Sequence, residues 1–282
     1  MNVIRSFRFG VALAAVGSRA AWLAKVRAAA DLGYDVLHVP DHLGLAAPFP
    51  ALVAAAEAAG TMRIGTFVLN TPLYHPWVLA RDVADTHRLT DGRFELGLGT
   101  GYLEHEFAAA GVPFGSGATR LRRLADTLRE VRERLAAEPD RPDPPVLLAG
   151  AGRRLLELAA READIVGFSI QAAVDPGVPP ERALADRIAH VRAAAGDRFA
   201  GLELNMIIGA VGRDRSELDL TIARAATGLP DDGLLQLPAV LCGPERDIAD
   251  RLLRYREEFG ITYYGVLEPH MAAFARIIPL LR

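Results

Sequence analysis

An aspartate and a histidine, Asp41 and His42, stand together directly after a run of β-type residues that ends at position 39. An adjacent carboxylate can orient an imidazole, raise its pKa and let it exchange a proton near pH 7. The alternative is a helix-capping aspartate beside a solvated loop histidine. Because catalytic side chains collect at strand ends in barrel enzymes, both interpretations stay open.

Two glycine-rich segments follow later strands, at residues 97–101 and at Gly150-Ala151-Gly152. The first lacks the GxGxxG spacing of a dinucleotide site and the acidic residue about 20 positions further on. A tight turn is favoured there, although glycines also permit close approach of a flat ligand or a neighbouring loop. The second opens a predicted helix, where free N–H groups could bind a phosphate with Arg153 or Arg154 as counter-charge. Its alternative is a plain strand-to-helix turn.

Other catalytic classes find little support. The histidines show no HxH or HExxH spacing, so no catalytic metal is expected. There is no GxSxG elbow and no P-loop. The only lysine, Lys25, falls on a predicted helix, which argues against a Schiff-base aldolase. The only cysteine, Cys242, excludes an internal disulfide and a CxxC redox motif.

The elements that position these residues alternate regularly between strand and helix. Eight strands and eight helices in that order predict a (β/α)₈ TIM barrel with a short excursion, residues 212–238, after strand 7. A doubly wound open sheet is the alternative. The predicted strands are 7–13, 35–39, 63–69, 94–98, 146–149, 165–168, 202–208 and 262–267; the predicted helices are 19–32, 51–59, 76–89, 118–137, 153–162, 180–195, 244–259 and 270–281.

Size and charge narrow the class of protein. The 282 residues are 51% hydrophobic and 24% charged, which is ordinary for a soluble globular protein with a substantial core. The length is close to the usual size of a TIM barrel, about 250 residues, so one barrel domain spanning 1–282 is predicted. The net charge of −3 argues against a nucleic-acid partner, and no apolar run is long enough to span a membrane. Arg5, Arg8 and the apolar run 9–17 have the outline of a secretory signal. A buried strand followed by a helix is favoured instead, so a cytoplasmic protein is expected.

Several stretches resemble the luciferase-like flavin and deazaflavin monooxygenase superfamily, and within it the actinobacterial oxidoreductases that use coenzyme F420. The resemblance covers nearly the whole chain. Its most specific part is Leu-Thr-Asp-Gly-Arg-Phe-Glu-Leu-Gly-Leu-Gly-Thr-Gly at 89–101; the others are Phe9-Gly10-Val11, Asp41-His42-Leu43, residues 64–76, residues 145–164 and Gly243-Pro244-Glu245.

The resemblance implies a cofactor ring in the barrel mouth, with its back face on a bulge of strand three. That bulge contains a non-proline cis peptide bond, which here would be Phe67–Val68. Asp41 and Asn70 would hydrogen-bond the ring or its ribityl chain. The remaining implied contacts are the pocket residues Gly99, Thr100, Gly101, Tyr102 and Glu106, and Gly150, Ala151 and Gly152 at the phosphate, with Arg153 beside them.

The implied chemistry is hydride transfer between coenzyme F420 and a small organic substrate, with His42 exchanging a proton or stabilising charge beside Asp41. One alternative is a monooxygenase that uses reduced FMN and oxygen, and another is a flavin-binding protein without turnover. Tyr74 or Trp77 would shape the substrate side. Relatives usually form homodimers, so a homodimer is expected; the alanine-rich helix 51–59 could contact the partner or pack on its own barrel.

Overall fold

Parallel strands form a closed ring in the computed structural model, which describes residues 5–140 and 142–282. The described strands are β1 (Arg8–Ala12), β2 (Val36–Val39), β3 (Arg63–Thr66), β4 (Leu69–Asn70), β5 (Phe94–Gly99), β6 (Val146–Gly150), β7 (Ile165–Phe168), β8 (Glu203–Ile208), β9 (Ala210–Gly212), β10 (Val240–Cys242) and β11 (Ile261–Leu267). Around the ring β1 pairs with β2, β2 with β3, and β3 with β5; β5 to β8 follow in order, and β11 pairs with both β8 and β1. This closure confirms the predicted TIM barrel.

Each of the eight predicted strands is present, and the ends agree to within one residue except in strand three. There the predicted run 63–69 is divided into β3 and β4, with Phe67 and Val68 between them. β4 continues the position of β3 in the ring, because both strands pair in parallel with β5.

Helices cover the outside of the ring: α1 (Arg19–Asp31), α2 (Pro48–Ala56), α3 (Pro76–Leu89), α4 (Glu104–Ala109), α5 (Gly117–Ala137), α6 (Arg153–Glu162), α7 (Pro180–Ala195), α8 (Thr221–Thr227), α9 (Asp231–Leu234), α10 (Glu245–Phe259) and α11 (Met271–Ala275). Local signals explain several boundaries. Ser18 caps α1 by accepting a hydrogen bond from the N–H of Ala21 at 3.2 Å. Gly33 follows α1 with φ of +86°, a conformation that favours glycine.

Two helix predictions needed correction. The final helix, predicted to run to residue 281, ends at Ala275 and is followed by a 3₁₀ turn at Ile278–Leu280. Pro279 lies in that turn, and a proline cannot donate the N–H that a continuing α-helix needs. α2 begins at Pro48 rather than at residue 51, because a proline is tolerated in the first turn of a helix. α2 packs against α1, α3 and its own strands.

The excursion after the seventh barrel strand is a small substructure of its own. β9 and β10 pair in parallel at its two ends, and α8 and α9 lie between them. α8 packs against the short 3₁₀ helix Ile170–Ala173 that follows β7. The excursion therefore covers one side of the barrel mouth.

The two ends of the barrel interior differ in chemistry. Arg8 faces inward, since its guanidinium reaches carboxylates on β5 and β8. The parallel register places Tyr263 beside Arg8 and, four residues further along both strands, Leu267 beside Ala12. Because alternate residues of a strand face the same side, Ala12 and Leu267 also face inward. On β1 and β11 the interior is thus charged where the strands begin and apolar at the mouth.

Candidate active site

Asp41 lies just beyond β2 and links that strand to the end of β4. Its Oδ2 accepts a hydrogen bond from the backbone N–H of Asn70 at 2.8 Å. Burial is the main cause that raises the pKa of the Asp41 carboxyl above its usual value, while hydrogen bonds from Asn70 and Tyr74 act in the opposite direction. Asp41 therefore holds two mouth loops together.

The carboxylate that contacts His42 is Glu106 on α4. His42 Nδ1 lies 2.9 Å from Glu106 Oε1, and the same oxygen accepts the backbone N–H of Leu43 at 3.1 Å. Glu106 is buried, whereas the imidazole is 31% exposed. Sequence proximity suggested Asp41 for orienting the ring, but the structure gives this contact to Glu106, from an unpredicted helix. A carboxylate on Nδ1 leaves Nε2 as the nitrogen available to a ligand.

Tyr102 and Tyr74 flank these acidic groups. The ring of Tyr102 stands perpendicular to His42, with centroids 5.8 Å apart, and is 66% exposed at the mouth. Burial, followed by the nearby Asp41, raises the pKa of Tyr74 well above its usual value. Trp77 instead lies on the outside of α3 beneath the guanidinium of Arg134, 5.0 Å from the ring centroid. Of the two aromatic residues expected near the substrate, Tyr74 is thus the one beside Asp41.

Phe67 and Val68 form a platform between β3 and β4, and the peptide bond between them is cis, as the resemblance implied. The ring of Phe67 is stacked on the buried imidazole of His38, with centroids 4.5 Å apart. Val68 packs over β5, where a Cβ added to Gly99 would lie 2.6 Å from Val68 Cγ2. The platform is supported both from within the barrel and from the adjacent strand.

Close packing explains the glycines at the end of β5 better than the favoured tight turn does. A Cβ on Gly97 would lie 2.0 Å from the carbonyl oxygen of Thr66. Gly101 has φ of +68°, and its Cβ would lie 2.1 Å from Asn70 Oδ1. These glycines let the β5 loop approach the loops after β3 and β4. Thr100, between Gly99 and Gly101 in the sequence, is half-buried.

The side chain of Asn70 is the buried polar group at this mouth that fits a cofactor. It is 4% exposed, and neither its Oδ1 nor its Nδ2 has a hydrogen-bond partner among the described residues. Buried amides in proteins are almost always hydrogen-bonded, so one without partners calls for a ligand or an ordered water. Its donor and acceptor match the carbonyl and N–H edge of a flavin or deazaflavin ring.

The end of β6 opens directly into α6, with Gly152 at the N-cap and no side chain capping the helix. Gly152 has ordinary extended dihedrals, and a Cβ there would meet nothing within 4 Å. Neither conformation nor packing therefore requires a glycine. The first helical N–H groups are free at this point, and Arg153 is exposed beside them. Gly150 and Ala151 precede this N-terminus and are half-buried; a Cβ on Gly150 would collide with Leu155.

Some participants were not identified from the sequence. His38 and Tyr263 were missed, although a histidine inside the apolar run 36–39 was an available signal. Within the described ranges no helix is long and apolar enough to cross a membrane. The same residues contain no group of three or more His, Cys, Asp or Glu side chains placed to bind a metal ion.

Solved structures with the same fold include F420-dependent enzymes. The chain superposes with a TM-score of 0.78 on the coenzyme F420 dependent tetrahydromethanopterin reductase of Methanopyrus kandleri, at 15% identity over 99% of this chain and 100% of that one. An F420-dependent secondary alcohol dehydrogenase in complex with an F420-acetone adduct gives a TM-score of 0.74 at 17% identity, over 99% and 100% of the two chains. At these identities the likeness concerns the fold.

Sequence relatives carry two kinds of name. An F420-dependent glucose-6-phosphate dehydrogenase of Beutenbergia cavernae is 34% identical over 163 residues, 48% of either chain. A 4-hydroxyprotoasukamycin monooxygenase of Streptomyces nodosus subsp. asukaensis is 29% identical over 155 residues, 52% of this chain and 40% of that one. The matches thus span about half or less of these relatives. Residues 2–224 match the luciferase-like monooxygenase family model, so the chain belongs to that family.

Proposed function

We propose that this protein is an oxidoreductase that transfers a hydride between coenzyme F420 and a small organic substrate. The observation that carries the proposal is the His42–Glu106 pair, whose atoms are 2.9 Å apart, on the loop after β2. β2 pairs with β3, the strand that leads into the Phe67–Val68 platform. A bound deazaflavin would supply the hydride chemistry and reacts poorly with oxygen, so the protein has to supply the proton and the positioning.

The residues at the mouth fit such a cofactor. The unpartnered amide of Asn70 offers a donor and an acceptor to the polar edge of the ring. Phe67 and Val68 offer an apolar surface to its face. At the other end, the free N–H groups of α6 and the exposed Arg153 suit a phosphate, since a helix N-terminus carries partial positive charge.

His42 would act as the acid/base. Its Nδ1 faces a buried carboxylate, which fixes the ring and leaves Nε2 to hold the proton that the substrate oxygen gains or loses. Glu106 also accepts the N–H of Leu43, so the loop that carries His42 is anchored at two consecutive residues. Glu106 is thus a positioning residue that acts through His42.

A titration of the purified apoprotein with F420 and with FMN, followed by cofactor fluorescence, tests the proposal. We expect F420 to bind at least tenfold more tightly than FMN, and bound reduced F420 to be reoxidised by a substrate without oxygen. Tighter binding of FMN together with oxygen consumption would instead indicate a monooxygenase. Tight F420 binding with no substrate-dependent reoxidation would indicate a binding protein.

A further inference from the structure

The mouth wall across from the platform is apolar. In the ring of eight strand positions, β8 stands four positions from β3, and β11 and β1 follow it. The inward residues on the mouth halves of these strands are Ile207, Leu267 and Ala12; Leu267 pairs with Ala12, whereas Ile207 pairs with Gly265, two residues before Leu267 on β11. A substrate lying between this wall and a ring on the platform would contact aliphatic side chains.

Exposed apolar side chains also lie on the loop that carries His42. Leu43 and Leu45 are 50% and 45% exposed, and Tyr102 is the exposed aromatic ring against the imidazole. The backbone N–H of Leu45 donates to the carbonyl of His42 at 3.0 Å, so this patch is part of the same loop. Exposed apolar side chains clustered at a concave site are typical of a ligand-binding surface.

The cations near this wall are already paired. Lys25 Nζ lies 2.5 Å from Glu268, which directly follows β11. Arg187 contacts Asp175 at 3.0 Å after β7. The excursion between β9 and β10 carries three arginines against five carboxylates, so it does not attract anions. In the first two turns of the described helices, Arg153 and Arg154 of α6 and Arg122 and Arg123 of α5 are exposed cations without an ion-pair partner. Arg153 lies at the proposed cofactor phosphate, and α5 follows β5, which is not one of the wall strands.

We infer that the substrate is an uncharged, largely apolar ketone or aldehyde, or the corresponding alcohol, rather than a phosphorylated or carboxylated compound. The inference rests on the proposed function. In the reductive direction the carbonyl carbon gains the hydride from the reduced deazaflavin, and the oxygen gains the proton from His42. A bound reduced deazaflavin would supply that hydride and, once oxidised, lose its second proton to solvent, while solvent would return a proton to His42.

A matched pair of ketones tests the inference on the F420-loaded protein. Cyclohexanone and 4-oxocyclohexanecarboxylate present the same carbonyl and the same ring and differ by one carboxylate. We expect kcat/KM for reoxidation of reduced F420 to be at least a hundredfold higher with cyclohexanone. Comparable or higher values with the carboxylate, or no turnover of either ketone by the loaded protein, would overturn the inference.

Two variants test whether the apolar side chains at the mouth cause the preference for the uncharged ketone. Ile207→Lys adds a cation on β8, inside the barrel. Leu43→Lys adds a cation at an exposed loop position, and it serves as the test if the Ile207→Lys protein does not fold. In each variant we expect the ratio of kcat/KM for cyclohexanone to kcat/KM for 4-oxocyclohexanecarboxylate to fall at least tenfold, with the Kd for F420 unchanged. An unchanged preference in both variants contradicts the inference.

Two further outcomes separate the inference from its alternatives. If F420 does not bind, the proposed function itself is wrong. If F420 binds and the carboxylate is the better substrate, only the inferred substrate class is wrong. If Leu43→Lys alters the oligomeric state by light scattering and leaves the ketone preference unchanged, the apolar patch is an interface between copies of the chain, which overturns its assignment to substrate.

Discussion

The imidazole of His38 lies flat against the ring of Phe67, with the two planes only 12° apart. On the other side, His38 Nε2 is 2.7 Å from the hydroxyl of Tyr263, which in turn reaches Glu95 at 3.4 Å. Arg8 and Arg63 pair with Glu95 at the opposite end of the barrel. The Phe67–Val68 platform therefore stands on a column of packed side chains that ends in an ion cluster.

Stability in mild acid should depend on His38. Burial, followed by the nearby charge of Arg8, lowers the pKa of His38 to about 3, against an ordinary value of 6.5. The unfolded chain then binds the extra proton as pH falls below 6.5, so the stability from neutral His38 is present above that pH and is lost below it. Between pH 7 and 5.5 this amounts to about 1.3 kcal/mol. We expect urea unfolding to show that extra acid sensitivity relative to His38→Gln; the same pH dependence in both proteins would contradict it.

Most of the barrel was predictable because its strands are short, buried and consecutive. The run 146–149, for example, is apolar throughout, as expected for a parallel strand that is covered on both faces. The parts that were missed are short and depend on tertiary context. α4 has six residues, and β9 and β10 have three each, too few for a periodic pattern to be recognised.

The candidate site was predictable in its parts but not in its pairings. The resemblance identified Asp41, His42 and Glu106 as neighbours of a cofactor. That Glu106 contacts His42 across 64 residues, while Asp41 contacts Asn70, depends on how the β2 and β5 loops meet in three dimensions. Gly97 and Gly101 were misread for the same reason, since the atoms that exclude a Cβ belong to other strands.

Removing the imidazole of His42 should slow turnover without releasing the cofactor. General acid–base catalysis contributes roughly 10²–10⁴-fold, so His42→Ala is expected to lower kcat within that range with the Kd for F420 nearly unchanged. Glu106→Gln should lower kcat less, since the amide can still contact Nδ1 but carries no charge. Single-turnover oxidation of reduced F420 measures both. The exposed neighbours provide matched controls: His105→Ala and Glu104→Gln should retain wild-type rates, and losses equal to those at His42 would rule out the assignment.

A negative charge at position 152 should raise the stability of the folded protein and lower its affinity for F420. An aspartate at the N-cap of α6 would accept the free N–H groups, which stabilises the helix by roughly a few tenths of a kcal/mol over glycine. Its charge at the positive end of the helix dipole adds roughly 0.3–1 kcal/mol. The same carboxylate would repel a cofactor phosphate. We expect Gly152→Asp to raise the Tm and to raise the Kd for F420 at least tenfold above that of Gly152→Asn, which caps equally well without charge. Equal affinity in the two variants would show that no phosphate binds at this N-terminus.

Replacing Asn70 by leucine should stabilise the apoprotein and weaken its binding of F420. The amide is buried without partners, and a buried unsatisfied polar group costs about 1–3 kcal/mol, which an apolar side chain of similar size removes. The backbone N–H that binds Asp41 is unaffected by the change. We therefore expect Asn70→Leu to unfold at equal or higher urea concentration and to bind F420 about fivefold more weakly, since one hydrogen bond contributes roughly 1 kcal/mol.

Asn205 provides the matched control for Asn70. It is a second buried amide without partners among the described residues, on β8 and 0% exposed. Asn205→Leu should give the same gain in stability and leave F420 affinity unchanged, because its side chain is fully buried on β8 rather than on the strand that follows the platform. If both leucine variants bind F420 as the wild type does, the Asn70 amide does not contact the cofactor. If both weaken binding equally, the effect comes from barrel packing rather than from a hydrogen bond to the ring.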